Sequence, residues 1–159
     1  MGIEIERKFL VKGKPWSALT GTPYRQGYLT TDPERTVRVR IAGECGCLTI
    51  KGASSGLARA EFEYPIPLAD AEQLLDQLCP KPQIEKTRYQ IVYAGLTWEV
   101  DVFTGENAGL VIAEVELEEI DQPVELPAWV GREVTGDRRF FNAYLTRHPY
   151  LTWADIPFR

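Results

Sequence analysis

Apolar and charged positions alternate along most of this chain. In Glu4 to Val11, read as a strand, Glu4, Glu6 and Lys8 share one face. Ile3, Ile5, Phe9 and Val11 take the other, because successive side chains of a strand point to opposite sides. Arg7 is the only charge on the apolar side. The same period returns in Tyr24 to Thr31 and in Val37 to Ile41, where Arg38 and Arg40 share a face. In Cys45 to Lys51, Thr49 and Lys51 lie opposite Leu48 and Ile50. Glu61 and Glu63 alternate with Ala60, Phe62 and Tyr64 until Pro65 and Pro67 close that strand.

The period then changes. Leu68, Ala71, Leu74, Leu75 and Leu78 form a helical stripe over 68–79, with Asp70 and Glu72 in the first turn, where acidic groups suit the helix dipole. Pro80 and Pro82 end it. Three more strands follow: Ile84 to Tyr93 with Lys86 and Arg88, Trp98 to Val102 flanked by Glu99 and Asp101, and a third from about Leu110. On the last, Glu114, Glu116 and Glu118 stand opposite Val115 and Leu117. Lys14 to Leu19 reads as one helical turn. Asp137 to about Arg147 reads as a short helix with Asp137 as its N-cap. Asp32-Pro33-Glu34, Ala42-Gly43-Glu44 and Ala94-Gly95 are turn signals, and Gly52 to Gly56 is a small polar connection.

About eight strands with few helices predict a mainly β (α+β) fold: an eight-stranded antiparallel β-barrel with short covering helices, one domain over residues 1–159. Two barrels satisfy the alternation. In one the apolar faces fill the interior and the charges meet water. In the other the charges line a wet tunnel, and helices or a second copy of the chain, in a homodimer, cover the apolar outside. Trp16, Trp98, Trp129 and Trp153 are expected on that outside rather than stacked on a base.

Composition narrows the function. The net charge of −5 argues against a nucleic-acid partner, whose binding surfaces are basic. No apolar run approaches the roughly 20 residues that cross a bilayer, and no signal-peptide core opens the chain, so no membrane and a cytoplasmic location are expected. Cys45, Cys47 and Cys79 lack metal-type spacing and suit reduced thiols. His148 is the only histidine, which disfavours zinc hydrolysis and Ser-His-Asp chemistry.

The charges are also sorted. Acidic pairs fall on the strands of Glu4/Glu6, Glu61/Glu63, Glu99/Asp101 and Glu114/Glu116, and basic pairs on those of Arg38/Arg40 and Lys86/Arg88. Gathered carboxylates attract Mg²⁺ or Mn²⁺, while guanidinium and ammonium groups hold phosphate oxygens. Together they describe a site for a metal-bound polyphosphate.

In this order the motifs resemble those of the CYTH superfamily, the triphosphate tunnel metalloenzymes. Glu4-x-Glu6-x-Lys8 is similar to the ExExK signature of its first strand. Arg25-Gln26-Gly27-Tyr28-Leu29, Val37-Arg38-Val39-Arg40, Thr49-Ile50-Lys51, Glu61-Phe62-Glu63, Glu85-Lys86-Thr87-Arg88-Tyr89, Glu99-Val100-Asp101, Ala113-Glu114-Val115-Glu116-Leu117 and Glu133-Val134-Thr135-Gly136-Asp137 are similar to its successive motifs. The resemblance implies an eight-stranded tunnel that binds a small-molecule triphosphate. Arg25, Arg38, Arg40, Lys51, Lys86, Arg88 and Arg139 would hold phosphates, Arg138 or Arg132 being alternatives to Arg139. Glu4, Glu6, Glu61, Glu63, Asp101, Glu114 and Glu116 would supply or support the ligands of Mg²⁺ or Mn²⁺, and a Lys8–Tyr28 pair would activate water. The chain is most similar to the short bacterial inorganic triphosphatases. Hydrolysis of thiamine or nucleoside triphosphates, class IV adenylate cyclase activity and non-catalytic polyphosphate binding are the alternatives.

Overall fold

A computed structural model of the protein describes residues 2–153. Five strands come first: β1 (Gly2–Val11), β2 (Thr22–Thr30), β3 (Arg35–Ala42), β4 (Cys45–Gly52) and β5 (Ala58–Ile66). The helix α1 (Leu68–Gln77) precedes β6 (Ile84–Tyr93), β7 (Leu96–Phe103), β8 (Val111–Glu116) and the short β9 (Val130–Glu133). All pairings are antiparallel, in the order β5-β4-β3-β2-β6-β7-β8-β1-β9, with β1 also bonded to β5. That extra pairing closes an eight-stranded barrel. β1 achieves it by changing neighbours along one edge: Gly2 to Ile5 pair with β5, Phe9 and Val11 with β9, while Glu6 to Leu10 pair with β8 on the other edge.

Of the two barrels compatible with the alternation, the chain forms the one with charges inside. Its apolar strand faces point outward and need cover. Phe9, Trp98, Val100, Ala113 and Val115 on β1, β7 and β8 are buried beneath Trp16, Val124 and Trp129. Trp98 packs between Phe9 and Trp129, with ring centroids 5.6 and 5.7 Å away, and Trp16 stacks on Tyr89. On the opposite side α1 lays Ala71 and Leu75 over Val39, with Ile41 and Leu48 packed alongside. Gly27 permits its approach, since a Cβ there would lie 2.9 Å from the Cβ of Cys79. Outward Ile3, Ile50, Phe62 and Tyr64 stay exposed on β1, β4 and β5.

A third cluster closes one end of the barrel. At that end the inward positions become apolar, and Ile84, Phe103 and Ile112 pack against Phe140, Leu145 and Tyr150 of the C-terminal segment. The sequence reads as one short helix from about Asp137 to Arg147. The structure breaks it into a 3-10 turn, Arg138–Phe140, and the four-residue α2 (Asn142–Leu145). Phe141 between them is extended, at φ −75° and ψ 135°. The break sends Phe140 into the closing cluster and Phe141 beneath Lys8 and Arg59, whose charged groups lie 5.3 and 5.9 Å from its ring. Asp137 caps the 3-10 turn, its carboxylate accepting from the Arg139 N–H. The strand expected to carry Glu118 ends at Glu116, leaving Glu118 in the following turn. Among the described residues no helix is long and apolar enough to cross a membrane.

The β6–β7 hairpin contains a testable strain. Tyr93 pairs with Leu96, so Ala94 and Gly95 form a two-residue loop with φ of 49° and 81°. Such loops favour Asn-Gly because both residues need positive φ, and a side chain with a plain Cβ loses roughly 1–2 kcal/mol there. Ala94→Asn should raise stability by about 0.5–1 kcal/mol, read as a higher urea midpoint with an unchanged slope.

Candidate active site

Inward side chains line a cavity of about 930 Å³. Chain order interleaves the acidic and basic strands, but sheet order separates them. β7, β8, β1 and β5 are consecutive neighbours and contribute Glu99, Glu114, Glu116, Glu4, Glu6, Glu61 and Glu63. β4, β3, β2 and β6 complete the circle and contribute Lys51, Arg38, Arg40, Lys86 and Arg88, with Tyr24, Gln26 and Tyr28 from β2 between them. The tunnel therefore has an acidic wall facing a basic one.

Ion pairs concentrate where the walls meet. At the β4–β5 seam Lys51 Nζ lies 2.7 Å from Glu4 and 3.3 Å from Glu61, and Arg38 lies 3.5 Å from Glu63. At the β6–β7 seam Asp101 accepts from Lys86 at 2.7 Å and from Arg88 at 2.7 and 2.9 Å. Even so, the basic wall has donors and charge to spare. Arg38 Nε is buried without a hydrogen-bond partner. Arg40 donates from Nε to Gln26 and lies over the Tyr24 ring, and burial with neighbouring Arg38 and Arg88 brings its pKa down to about 10. Buried cations that repel each other and keep an unused donor are suited to an oxyanion.

The acidic wall has the complementary excess. Burial and Glu114 push Glu6 well above the usual carboxylate range. Glu114 bears the charge of the pair: burial opposes its ionisation, but Lys8 and Arg88 hold it well below the ordinary value. Burial and surrounding carboxylates also raise Glu116 and Glu61, the latter against the pull of Lys51. Crowded carboxyl groups whose ionisation is disfavoured by burial and by one another fit a hard divalent cation, which favours their charged forms. Among the described residues no three carboxylates already converge on one point. The donor set therefore suits an ion that takes one or two carboxylates and completes its shell with water and phosphate oxygens, as Mg²⁺ does.

Lys8 stands within the acidic wall. Burial lowers its pKa, but Glu114, Glu6, Asp101 and Glu4 together more than reverse that, so its ammonium is favoured in the ligand-free protein. It lies 3.7 Å from Glu114 and donates to the Phe140 carbonyl at 3.4 Å. Tyr28 lines the same cavity, though no hydrogen bond joins it to Lys8.

Three expected site residues lie elsewhere. Arg25 has the opposite strand parity to Tyr24, Gln26 and Tyr28, so it points outward, donating to Gln83 and pairing with Asp76 at 2.7 Å. Asp101 is 0% exposed and behind the lining, where both carboxylate oxygens accept from Lys86 and Arg88, making it their counter-ion rather than an accessible metal ligand. Arg139 is engaged by Asp137 outside the tunnel and packs over Phe140 and Trp153, whereas Arg138 and Arg147 line the cavity. Sequence reading missed Arg59, although it shares the parity of Glu61 and Glu63. It also missed Gln26, Phe141 and Asn142, the last two from a segment with no readable period.

Asp101 makes stability depend on acid. Burial raises its pKa, but Lys86 and Arg88 outweigh burial and hold it at about 2. An unfolded aspartate titrates near roughly 3.9, so the ionised group contributes fully above that pH, and its contribution disappears as pH falls through about 2. Urea unfolding should show this acid limb. Asp101→Asn, which removes the carboxylate that buried Lys86 and Arg88 share, should flatten it and lower stability near neutrality by about 3–5 kcal/mol.

Comparisons with known proteins agree with this architecture. A family model described as the CYTH domain matches residues 2–141, which include every strand. The chain is 51% identical over 156 residues to an inorganic triphosphatase of Acetivibrio thermocellus, covering 98% of this chain and 100% of that one. It is 40% identical over 146 residues to an inorganic triphosphatase of Nitrosomonas europaea, covering 89% and 95%. A crystal structure of an inorganic triphosphatase matches with a TM-score of 0.65 at 37% identity, over 89% of this chain and 96% of the other. With a closed barrel, two opposed charged walls and a family match that runs from β1 past β9, the chain belongs to the CYTH family.

Proposed function

We propose that this protein hydrolyses inorganic tripolyphosphate to pyrophosphate and phosphate, using Mg²⁺ or Mn²⁺ on the acidic wall. The observation that carries this reading is the excess of opposite charge on the two faces of one cavity. A bare anion would use only the basic wall and a metal ion only the acidic one. A metal-bound polyphosphate uses both. The names carried by relatives at 51% and 40% identity support the choice of an inorganic triphosphate.

In this reading Arg38, Arg40 and Arg88 hold phosphoryl oxygens through planar guanidinium donors, and Lys51 and Lys86 add point charges. Glu4, Glu6, Glu114 and Glu116 form the wall that would receive the cation, one or two of them bonding it directly, with Glu61 and Glu63 beside them. When bound, the cation neutralises charge on the phosphates. A water oxygen bonds to a terminal phosphorus, the bridging P–O bond breaks, and pyrophosphate departs with the bonding electrons. Lys8 and Tyr28 are assigned to that water, the deprotonated Lys8 amine taking its proton as the new P–O bond forms and Tyr28 orienting it. Cation binding among the carboxylates removes the support for the Lys8 ammonium, so its proton becomes easier to release and activity should rise above neutral pH.

Phosphate release from tripolyphosphate, ATP and thiamine triphosphate, each with Mg²⁺, Mn²⁺ or chelator, tests the proposal. The highest kcat/KM is expected for tripolyphosphate with metal. A higher value for either organic triphosphate moves the assignment to that substrate, and binding without turnover leaves a polyphosphate-binding protein.

Glu116→Gln should raise the metal concentration for half-maximal activity by at least about tenfold in a folded protein. An unchanged metal titration removes Glu116 from the metal site.

Tyr28→Phe keeps the ring and removes the hydroxyl. It should lower kcat by about 10²-fold or more with little change in KM, because the group acts on water rather than on the triphosphate. An unaltered pH–rate profile would show that Tyr28 takes no part in catalysis.

A further inference from the structure

The C-terminal segment closes one end of the barrel, and one polar side chain of α2 reaches from it into the basic wall. Asn142 Oδ1 accepts from Gln26 Nε2 at 3.0 Å and from Lys86 Nζ at 2.9 Å. Both links lead to cations of the wall: Gln26 Oε1 accepts from Arg40 Nε at 2.8 Å, and Lys86 continues to Asp101 and Arg88. Chemistry fixes the orientation of both amides. The Arg40 Nε–H can only donate, so Gln26 presents its oxygen to Arg40 and its NH₂ to Asn142. The Gln26 NH₂ only donates, so Asn142 must turn its oxygen toward Gln26 and the adjacent Lys86, leaving its own NH₂ on the other side of the group. Asn142 lines the tunnel cavity, and among the described residues no hydrogen bond uses that NH₂.

We propose that Asn142 is a substrate-positioning residue: its Nδ2 hydrogens donate to a phosphoryl oxygen held beside Lys86, while its Oδ1 holds Lys86 and, through Gln26, Arg40 in register for the same phosphates. The inference rests on the triphosphatase reading and adds to it a neutral donor supplied by the segment that closes the barrel. A neutral amide is suited to this position. It orients two wall cations without cancelling their charge, as a carboxylate would, and its second polar atom matches an acceptor-rich ligand.

Two substitutions separate the functions of the side chain. Asn142→Ala removes both, so KM for tripolyphosphate should rise about tenfold or more while kcat changes less than threefold. Asn142→Asp keeps an oxygen for Lys86 and Gln26, which preserves the fold, but replaces the donor with a second acceptor facing the phosphates. Its KM should rise at least as far. Calorimetric titration with metal-free tripolyphosphate should show the same loss of affinity independently of turnover. Adding Gln26→Leu to Asn142→Ala should raise KM by less than the product of the two single effects, because both act through Arg40. Unchanged KM and unchanged affinity in Asn142→Asp overturn the proposal, as does a loss of thermal stability in Asn142→Ala with KM unaltered. If the unmodified protein neither binds nor hydrolyses tripolyphosphate, the triphosphatase reading fails instead. The same variants are then compared on whichever triphosphate is turned over, where an unchanged KM again overturns the role of Asn142.

Discussion

A charge taken out of water must be neutralised by something nearby, and this barrel is arranged around that constraint. Where acidic and basic strands adjoin, the chain meets it alone, through Lys51 with Glu4 and Glu61 and through Asp101 with Lys86 and Arg88. Elsewhere on the walls it does so only in part. Burial and Glu114 raise Glu6 well above the usual carboxylate range, Arg40 titrates more easily than an ordinary arginine, and one donor of Arg38, its Nε, has nothing to bond. These are costs in the ligand-free fold that a bound metal and anion would remove. The strength of ligand binding and the marginal stability of the empty barrel thus have a common origin.

Placing the charges inside forces the hydrophobic core outside. A barrel filled with leucine and valine would hold itself closed, whereas this one is held by what lies against it: α1 on β3 and β4, the Trp16–Trp98–Trp129 layer on β1, β7 and β8, and the C-terminal segment across one end. These covers differ in what they touch. α1 and the tryptophan layer bury only outward side chains. The C-terminal segment instead enters the end of the barrel, with Phe140 in the apolar cluster there, Phe141 under two cations and Asn142 hydrogen-bonded to Gln26 and Lys86 of the basic wall. Packing and substrate geometry are therefore joined there and nearly independent elsewhere.

Much of this was legible in the chain because strands report their faces with a period of two. Parity placed Glu4, Glu6 and Lys8 together and put Arg38 with Arg40. Applied consistently it would also have excluded Arg25 and included Arg59. Parity says which face a residue takes but not how deep it lies, so Asp101 read as a ligand although two cations enclose it. Whether the charged faces lay inside was likewise not a property of any one strand. It follows from the neighbour order, since only the ring β7-β8-β1-β5 assembles seven cavity-lining glutamates into one wall. The C-terminal contribution was least readable, because a 3-10 turn, an extended phenylalanine and a four-residue helix share no period.

The position of β1 has a consequence for how the chain is made. It emerges first in synthesis, yet its partners are β5, β8 and β9, and Glu6 bonds in register with Glu116 far along the chain. The hairpins β2–β3, β3–β4, β4–β5, β6–β7 and β7–β8 can each zip from a short connection as they appear, whereas β1 waits with both edges unpaired until most of the protein exists. An unpaired apolar strand is prone to join another chain, and charges along it act as gatekeepers. Glu4, Glu6, Arg7 and Lys8 thus protect the nascent strand before they can serve in a tunnel. The residues that make β1 the chemical centre of the finished barrel also let it remain solitary while the rest is being built.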